Sequence, residues 1–313
     1  MRKFLGTVFI VLIVLFFAGC FMAARTVMNQ LHLEEPKIAK SSVLFLELEG
    51  VIIDGKEFLE DLKKYSKEDE IKGVLIQINS PGGVVGPSQE IYAEIKRVRD
   101  ELKKPVVVSV SSLAASGAFY SAVAADKIVT NPGSMIGSIG VIMEFANLEK
   151  LYEFAKIKRY VIKTGAYKDS GAEYRDMRDD EKLLFQELAN EVLTQFKTAV
   201  AQGRKLPLET ISKIADGRVF TGEKAVAMGL ADKIGTLSDA TKLIGQLSGI
   251  GPDPELFSPP PKKAEFLRDL FDSKTSMPPL ERSVDRALKQ LLHSQFWGQP
   301  LLILPSALSA GGA

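Results

Sequence analysis

Hydrophobic and polar positions along the chain alternate between two regimes, short apolar runs and segments with apolar residues three or four apart. Val43 to Leu48 reads as a strand, and Gly73 to Ile78 (GVLIQI) as a second. The second runs into Ser80-Pro81-Gly82-Gly83 and then a helical stretch with Ile91, Ile95, Val98 and Leu102 on one face. Pro105 to Val110 (PVVVSV) is almost continuously apolar, which predicts a strand buried on both faces. Ser111 to Gly117 follows as a cluster of small residues, then a helical segment from Ala118 to Ala125 and a short strand from Lys127 to Thr130 ended by Asn131-Pro132-Gly133. Strand, helix, strand, helix in this order predicts an α/β fold with a largely parallel sheet, whose ligands belong at the C-terminal strand ends.

Farther along, Asp179 and Asp180 can open a long helix carrying Leu184, Leu188, Val192, Phe196 and Val200, and Glu223 to Leu230 is a second amphipathic stretch. Beyond Gly249 prolines crowd the chain, which predicts a linker and a peripheral tail. The chain before the first strand is different in kind. Phe4 to Ala24 carries no charge, and a helix of that length spans about 30 Å, the hydrocarbon thickness of a bilayer. Arg2 and Lys3 precede it, as in a signal-anchor that leaves the N-terminus in the cytoplasm and the rest of the chain outside. Phe17-Ala18-Gly19-Cys20 also resembles the lipobox before a lipid-modified cysteine. The expected organisation is an n-region and anchor at 1–28, a linker at 29–42, a catalytic domain at 43–250, and a Pro-rich linker with a tail at 251–313.

Composition then removes mechanisms. The 313 residues are 46% hydrophobic and 25% charged, with a formal charge of +1, so no basic field points to nucleic acid. The two histidines, His32 and His293, lie outside the segment that reads as the catalytic core, which argues against a Ser-His-Asp triad. The single cysteine, Cys20, lies in the apolar run, so a core cysteine nucleophile and an internal disulfide are excluded, and no metal-ligand spacing is present. No cofactor is expected. Hydroxyls, amines, carboxylates and backbone remain.

Two strand-end turns suit that chemistry. Glycines after a buried strand let backbone approach a ligand, and Ser116-Gly117 stands in the same relation to the next strand as Gly82-Gly83 does to its own. Amides of Gly83 and Gly117 around one point would form an oxyanion hole beside Ser116. Lysine can serve as base when burial lowers its pKa from about 10.4, but composition does not choose among the lysines.

The motifs NSPGG (79–83), AASGAFY (114–120), GSIGV (137–141), TGAYKDSG (164–171) and GRVFTGEKAVAMGLADKIG (217–235) together resemble, in this order, the signal peptide peptidase A family. Those are bacterial membrane-bound Ser-Lys peptidases of ClpP/crotonase-like fold, and the resemblance covers about residues 40 to 250. It implies Ser116 as nucleophile, Lys168 as general base and acid, Ser138 as the hydroxyl that orients the lysine, and Gly83 and Gly117 as oxyanion donors. It also implies a serine endopeptidase acting on hydrophobic peptides such as remnant signal peptides. Its expected setting is a homo-oligomeric ring or dome, in which one subunit's serine meets a neighbour's lysine. The expected location is the bacterial inner membrane, single-pass through residues 4–24, with the catalytic domain extracytoplasmic. Ser170-Gly171-Ala172 departs from the family's usual apolar, Pro-containing stretch and bears on the substrate pocket. An acyl-CoA hydratase-like enzyme and a silent membrane scaffold are the rival readings on the same fold. The terminal LPSALSAGGA (304–313) resembles a signal-peptide cleavage region and is a candidate occupant of an active site.

Overall fold

The computed structural model describes residues 37–260 and 300–303. The anchor at 4–24, Cys20 and the tail at 304–313 lie outside the described residues, and among the described residues no helix is long and apolar enough to cross a membrane.

Nine strands among the described residues make one mixed, largely parallel sheet. Strand β1 (Ser42–Ile52) leads through helix α1 (Lys56–Tyr65) to β2 (Ile71–Val84), and α2 (Val85–Asp100) leads on to β3 (Val106–Ala115). These three strands run parallel side by side, β2 in the centre. Their continuous apolar runs have the reason expected of them: Val74, Leu75 and Ile76, like Val106, Val107 and Val108, are wholly buried. Helix α2 covers one face with Ile91, Ile95 and Val98, each wholly buried.

Beyond β3 the sheet forks. The first half of β3 pairs with β4 (Lys127–Thr130), and its second half pairs with β5 (Met135–Gly137), both in parallel. Between β3 and β4 lies α3 (Gly117–Ala122). Next in chain order come α4 (Glu149–Phe154), the long α5 (Asp179–Arg204) and α6 (Leu208–Ser212). β6 (Val219–Thr221) then pairs antiparallel with β5, and α7 (Gly222–Ala227) leads to β7 (Lys233–Ile234) beside β4. Helix α8 (Leu237–Leu247) covers the other face, packing Ala240 and Ile244 on Val43, Leu75, Val107 and Val129. The sheet reaches past residue 250, because β8 (Leu256–Phe257) joins the edge of β1 and sets Phe257 against Tyr65 with ring centroids 5.0 Å apart. The last described strand, β9 (Leu301–Ile303), pairs antiparallel with the end of β2.

Two strands run on where the sequence predicts that they stop. β2 passes through Ser80-Pro81-Gly82-Gly83 instead of turning there: the register shifts against β3 between Ile78 and Ser80 and against β1 between Glu49 and Val51, and Gly82 and Gly83 then pair with Val51 and Ile52 of β1. β3 likewise continues through Ser111 to Ala115 along β5. Missing side chains make the continuation possible, since a Cβ on Gly83 would collide with the carbonyl of Ile52. Polar residues and glycines that signal a turn here extend a ladder beyond its apolar half.

Helix α5 begins where Asp179 and Asp180 predict, and it is clamped to the sheet at its far end. Tyr120 of α3 packs against Tyr92 of α2 and Phe196 of α5 at 5.1 and 5.0 Å between centroids. Arg204, almost buried, pairs with Asp232 at 2.8 Å, and Asp232 in turn accepts from Lys127 Nζ and the Ile128 amide. Beside it, a Cβ on Gly203 would run into the carbonyl of Val123 at the end of α3. Alanine is ordinarily better than glycine in a helix by about 1 kcal/mol. Overpacking against backbone costs about 1–3 kcal/mol, so we expect Gly203→Ala to lower the thermal midpoint; a midpoint raised in a calorimetric scan would contradict this packing.

Candidate active site

Ser116 lies where β3 ends and α3 begins, with φ 53° and ψ −119°. That positive φ is unfavourable for a side chain other than glycine and costs on the order of 1–3 kcal/mol unless the surroundings impose it. They do so from both sides: the Ser116 amide donates to Gly137 O at 2.7 Å, and its carbonyl accepts from Tyr120 N at 2.8 Å. The turn is also packed from below, where Ser121 Oγ donates to the carbonyls of Gly117 and Ser88. Ser116 is 1% exposed, and its Oγ has no hydrogen-bond partner among the described residues. A buried hydroxyl without a partner is costly, so it marks a place where a ligand or a further group is needed.

The glycines converge on the same point. Gly82 and Gly117 approach so closely that the Gly117 nitrogen would be 2.6 Å from a Cβ on Gly82, and the Gly83 nitrogen would be 3.2 Å from a Cβ on Gly117. Ser80 Oγ accepts the Gly82 amide at 3.1 Å, which occupies that donor, while Gly83 is paired with Ile52 of β1 on one side and Leu302 of β9 on the other. The fold thus brings Gly83, Gly117 and Ser116 together, with the N-terminus of α3 beside them. Ser80, absent from the sequence-derived set, braces this extension of β2 through that bond; a serine two residues before a glycine is the signal that could have found it.

Ser138 stands next to this cluster for a topological reason. Ala115 and Gly137 are paired across β3 and β5, so the residues that follow them, Ser116 and Ser138, leave the sheet side by side. Ser138 is 4% exposed with φ 51°, and its amide donates to Arg218 O at 2.9 Å.

Lys168 is placed differently. Its segment, between α4 and α5, is a series of turns, the Lys168 amide reaches Gly165 O at 3.5 Å, and its side chain is exposed to solvent. Within the single chain the Lys168 amine makes no hydrogen bond to Ser116 Oγ. The residues just after it are held firmly. Arg175 bridges Asp169 and the fully buried Glu181 carboxylate at 2.8 and 2.6 Å, and Glu181 also accepts from Ser170 Oγ and the Arg178 amide. Arg175 accordingly pulls Glu181 down to about 2 and holds Asp169 well below the usual carboxylate range, with Lys163 and Tyr174 adding to the latter. Those two carboxylates raise the Arg175 guanidinium above its ordinary value. This network ties the lysine turn to the first turn of α5, and sequence reading missed it because its members are spread over a segment without periodicity.

The sequence is similar to those of known proteins. A peptidase family S49 model matches residues 99–251, and a Clp protease model matches residues 37–137. A "Putative protease" of Synechocystis sp. is 38% identical over 216 residues, covering 68% of this chain and 77% of its own length. The chloroplastic serine protease SPPA of Arabidopsis thaliana is 33% identical over 255 residues, 79% of this chain and 36% of that protein. A protein of Enterococcus faecium named "Putative signal peptide peptidase SppA" is 32% identical over 219 residues, 66% of this chain and 63% of its own. With a parallel sheet of the Clp type and a relative matched over most of its length, the chain belongs to peptidase family S49 and is a serine peptidase.

Proposed function

We propose that this peptidase cleaves apolar peptides, remnant signal peptides among them, with Ser116 as nucleophile and Lys168 as general base. The observation that carries the reading is the unpartnered Oγ of Ser116, held in a strained turn beside the amides of Gly83 and Gly117. The hydroxyl attacks a peptide carbonyl while the lysine amine takes its proton. The oxyanion that develops is stabilised by the two glycine amides, and the proton passes to the leaving amine. Water then hydrolyses the acyl-enzyme. Ser138, leaving the sheet beside Ser116, is suited to fix the lysine amine by a hydrogen bond. The substrate class follows from the Enterococcus relative's name and from the resemblance of the motifs, and anchoring through residues 4–24 would hold the site beside a membrane.

An exposed Lys168 and a buried, unsatisfied Ser116 suit a site completed between chains. The segment that carries Lys168, with the two helices that flank it, presents Phe154, Tyr160 and Ile162, all more than four-fifths exposed, along with Leu151, Ile157, Val161 and Leu183. So many large apolar side chains in one stretch are expensive to leave in water and suit an interface with a second copy. The assembly in this reading is a homo-oligomeric ring or dome at the extracytoplasmic face of the bacterial inner membrane.

Three outcomes are expected. Ser116→Ala and Lys168→Ala should each lower kcat on an apolar fluorogenic peptide by at least about 10³-fold, within the range for loss of a nucleophile or base, and a serine-directed phosphonate should label the parent chain but not Ser116→Ala. Parent-like turnover in both variants would sink the dyad. Co-assembling the two inactive variants should restore part of the activity, because some interfaces then pair an intact serine with an intact lysine; a mixture as dead as its components would place the dyad within one chain. The third concerns acid. A carboxylate with a lowered folded pKa stabilises the fold above its unfolded value, about 4.3, and loses that contribution as pH falls through its folded value, about 2 for Glu181. Glu181→Gln should therefore flatten the loss of stability between those two pH values, and denaturant titrations with the same pH dependence as the parent would contradict it.

A further inference from the structure

The two amides assigned to the oxyanion site stand at the starts of two different helices. Gly83 comes just before Val84, the N-cap of α2, and Gly117 is the first residue of α3. Their spacing therefore depends on how the first turns of these helices are held together. Two serines hold them, Ser88 on α2 and Ser121 on α3, both wholly buried. Each bonds back within its own helix: Ser88 Oγ donates to Val84 O at 2.8 Å, and Ser121 Oγ donates to Gly117 O at 3.0 Å. Ser121 Oγ also crosses to the other helix, donating to Ser88 O at 3.1 Å.

These three hydrogen bonds close a circuit that runs from Gly83 and Val84, through Ser88 and Ser121, to Gly117. Packing closes it a second time, since a Cβ on Gly117 would lie 2.4 Å from Ser88 Oγ and 3.2 Å from the Gly83 nitrogen. Helix stability calls for neither hydroxyl. Alanine is the better helix former, and a serine bonded back to the preceding turn slightly destabilises its helix. Cohesion between the helices has another source as well, because Tyr120 of α3 packs edge-on against Tyr92 of α2. What the hydroxyls add is a fixed distance between two helix starts.

We propose that Ser88 and Ser121 are positioning residues for the oxyanion site. Their circuit sets the separation of the Gly83 and Gly117 amides, and so acts on the transition state while leaving substrate binding nearly unchanged. The proposal rests on the reading of Ser116 as nucleophile and of these two amides as donors. Loss of one donor lowers turnover about 10²–10³-fold and a shift of about 1 Å costs up to about 10²-fold, so loosening donors that stay in place is expected to cost about tenfold.

The test measures kcat and KM separately on an apolar fluorogenic peptide, together with the affinity of a peptide boronate, whose boron bonds Ser116 Oγ to give a tetrahedral anion resembling the transition state. In the full chain, Ser121→Ala should lower kcat about tenfold, change KM by less than about twofold, and weaken the boronate by the same factor as kcat. Ser88→Ala opens the circuit at another bond and should do the same. The double variant should lose no more than the worse single one, because a circuit already open is not opened further. Ser121→Cys keeps the shape with a weaker donor; if alanine prevents folding, it is expected to show the same selective loss in smaller degree. With the parent active, folded variants with parent-like kcat and boronate affinity, a loss that falls on KM, or losses that multiply in the double variant would overturn the circuit and leave the dyad standing. No hydrolysis and no boronate binding by the parent would overturn both.

Discussion

Close approach of backbone to backbone at the ends of β2 and β3 is the constraint on which the site depends. Gly82, Gly83 and Gly117 meet without room for one Cβ among them, with the carbonyls of Ile52, Ala115 and Leu302 pressed against the missing side chains. Only this lets amides from β2 and from the first residue of α3 reach one point, and only with β1 paired alongside does the extension of β2 hold its course past the apolar half of the ladder. The buried faces of Val74 to Ile76 and Val106 to Val108 supply the stability, and the glycine ends draw on it to hold an arrangement that is unfavourable in isolation. Energetic support and chemical function are thus separated along the same two strands, apolar at their beginnings and small or polar at their ends.

Electrostatics plays a different part, confined mostly to the segment between α4 and α5. There the chain has no ladder and little core, and Arg175 substitutes for both by pairing with Asp169 and Glu181 at once. Breaking a buried pair by removing one partner leaves an uncompensated charge, so the arginine and its two carboxylates act as a unit. The turn bearing Lys168 is consequently held at its C-terminal side, while Lys168 itself is exposed.

How much of this could be read in advance varies with the kind of signal. Apolar continuity revealed β2 and β3, and the pair of aspartates marked the start of α5, because both signals are local and physical. Ser80-Pro81-Gly82-Gly83 misled as a turn: the residues that commonly break a strand are also those that let two strands come unusually near, and only the tertiary context separates the two cases. Ser116 beside Ser138 was legible through motif resemblance and is explained by the pairing of Ala115 with Gly137. β9 was not legible at all, since three residues far along the chain from the rest of the sheet carry no periodicity. The Arg175 network was hidden for a related reason, as its contacts depend on a path through irregular turns.

The torsion at Ser116 also limits which side chains this turn could ever carry. With φ at 53°, a β-branched residue would press its second Cγ substituent against neighbouring backbone, a conformation that is a true outlier for such side chains. Threonine is thereby closed to this position, although its hydroxyl is chemically equivalent, whereas cysteine has serine's unbranched shape. A lineage built on this turn is free to exchange oxygen for sulfur but not to add a methyl group.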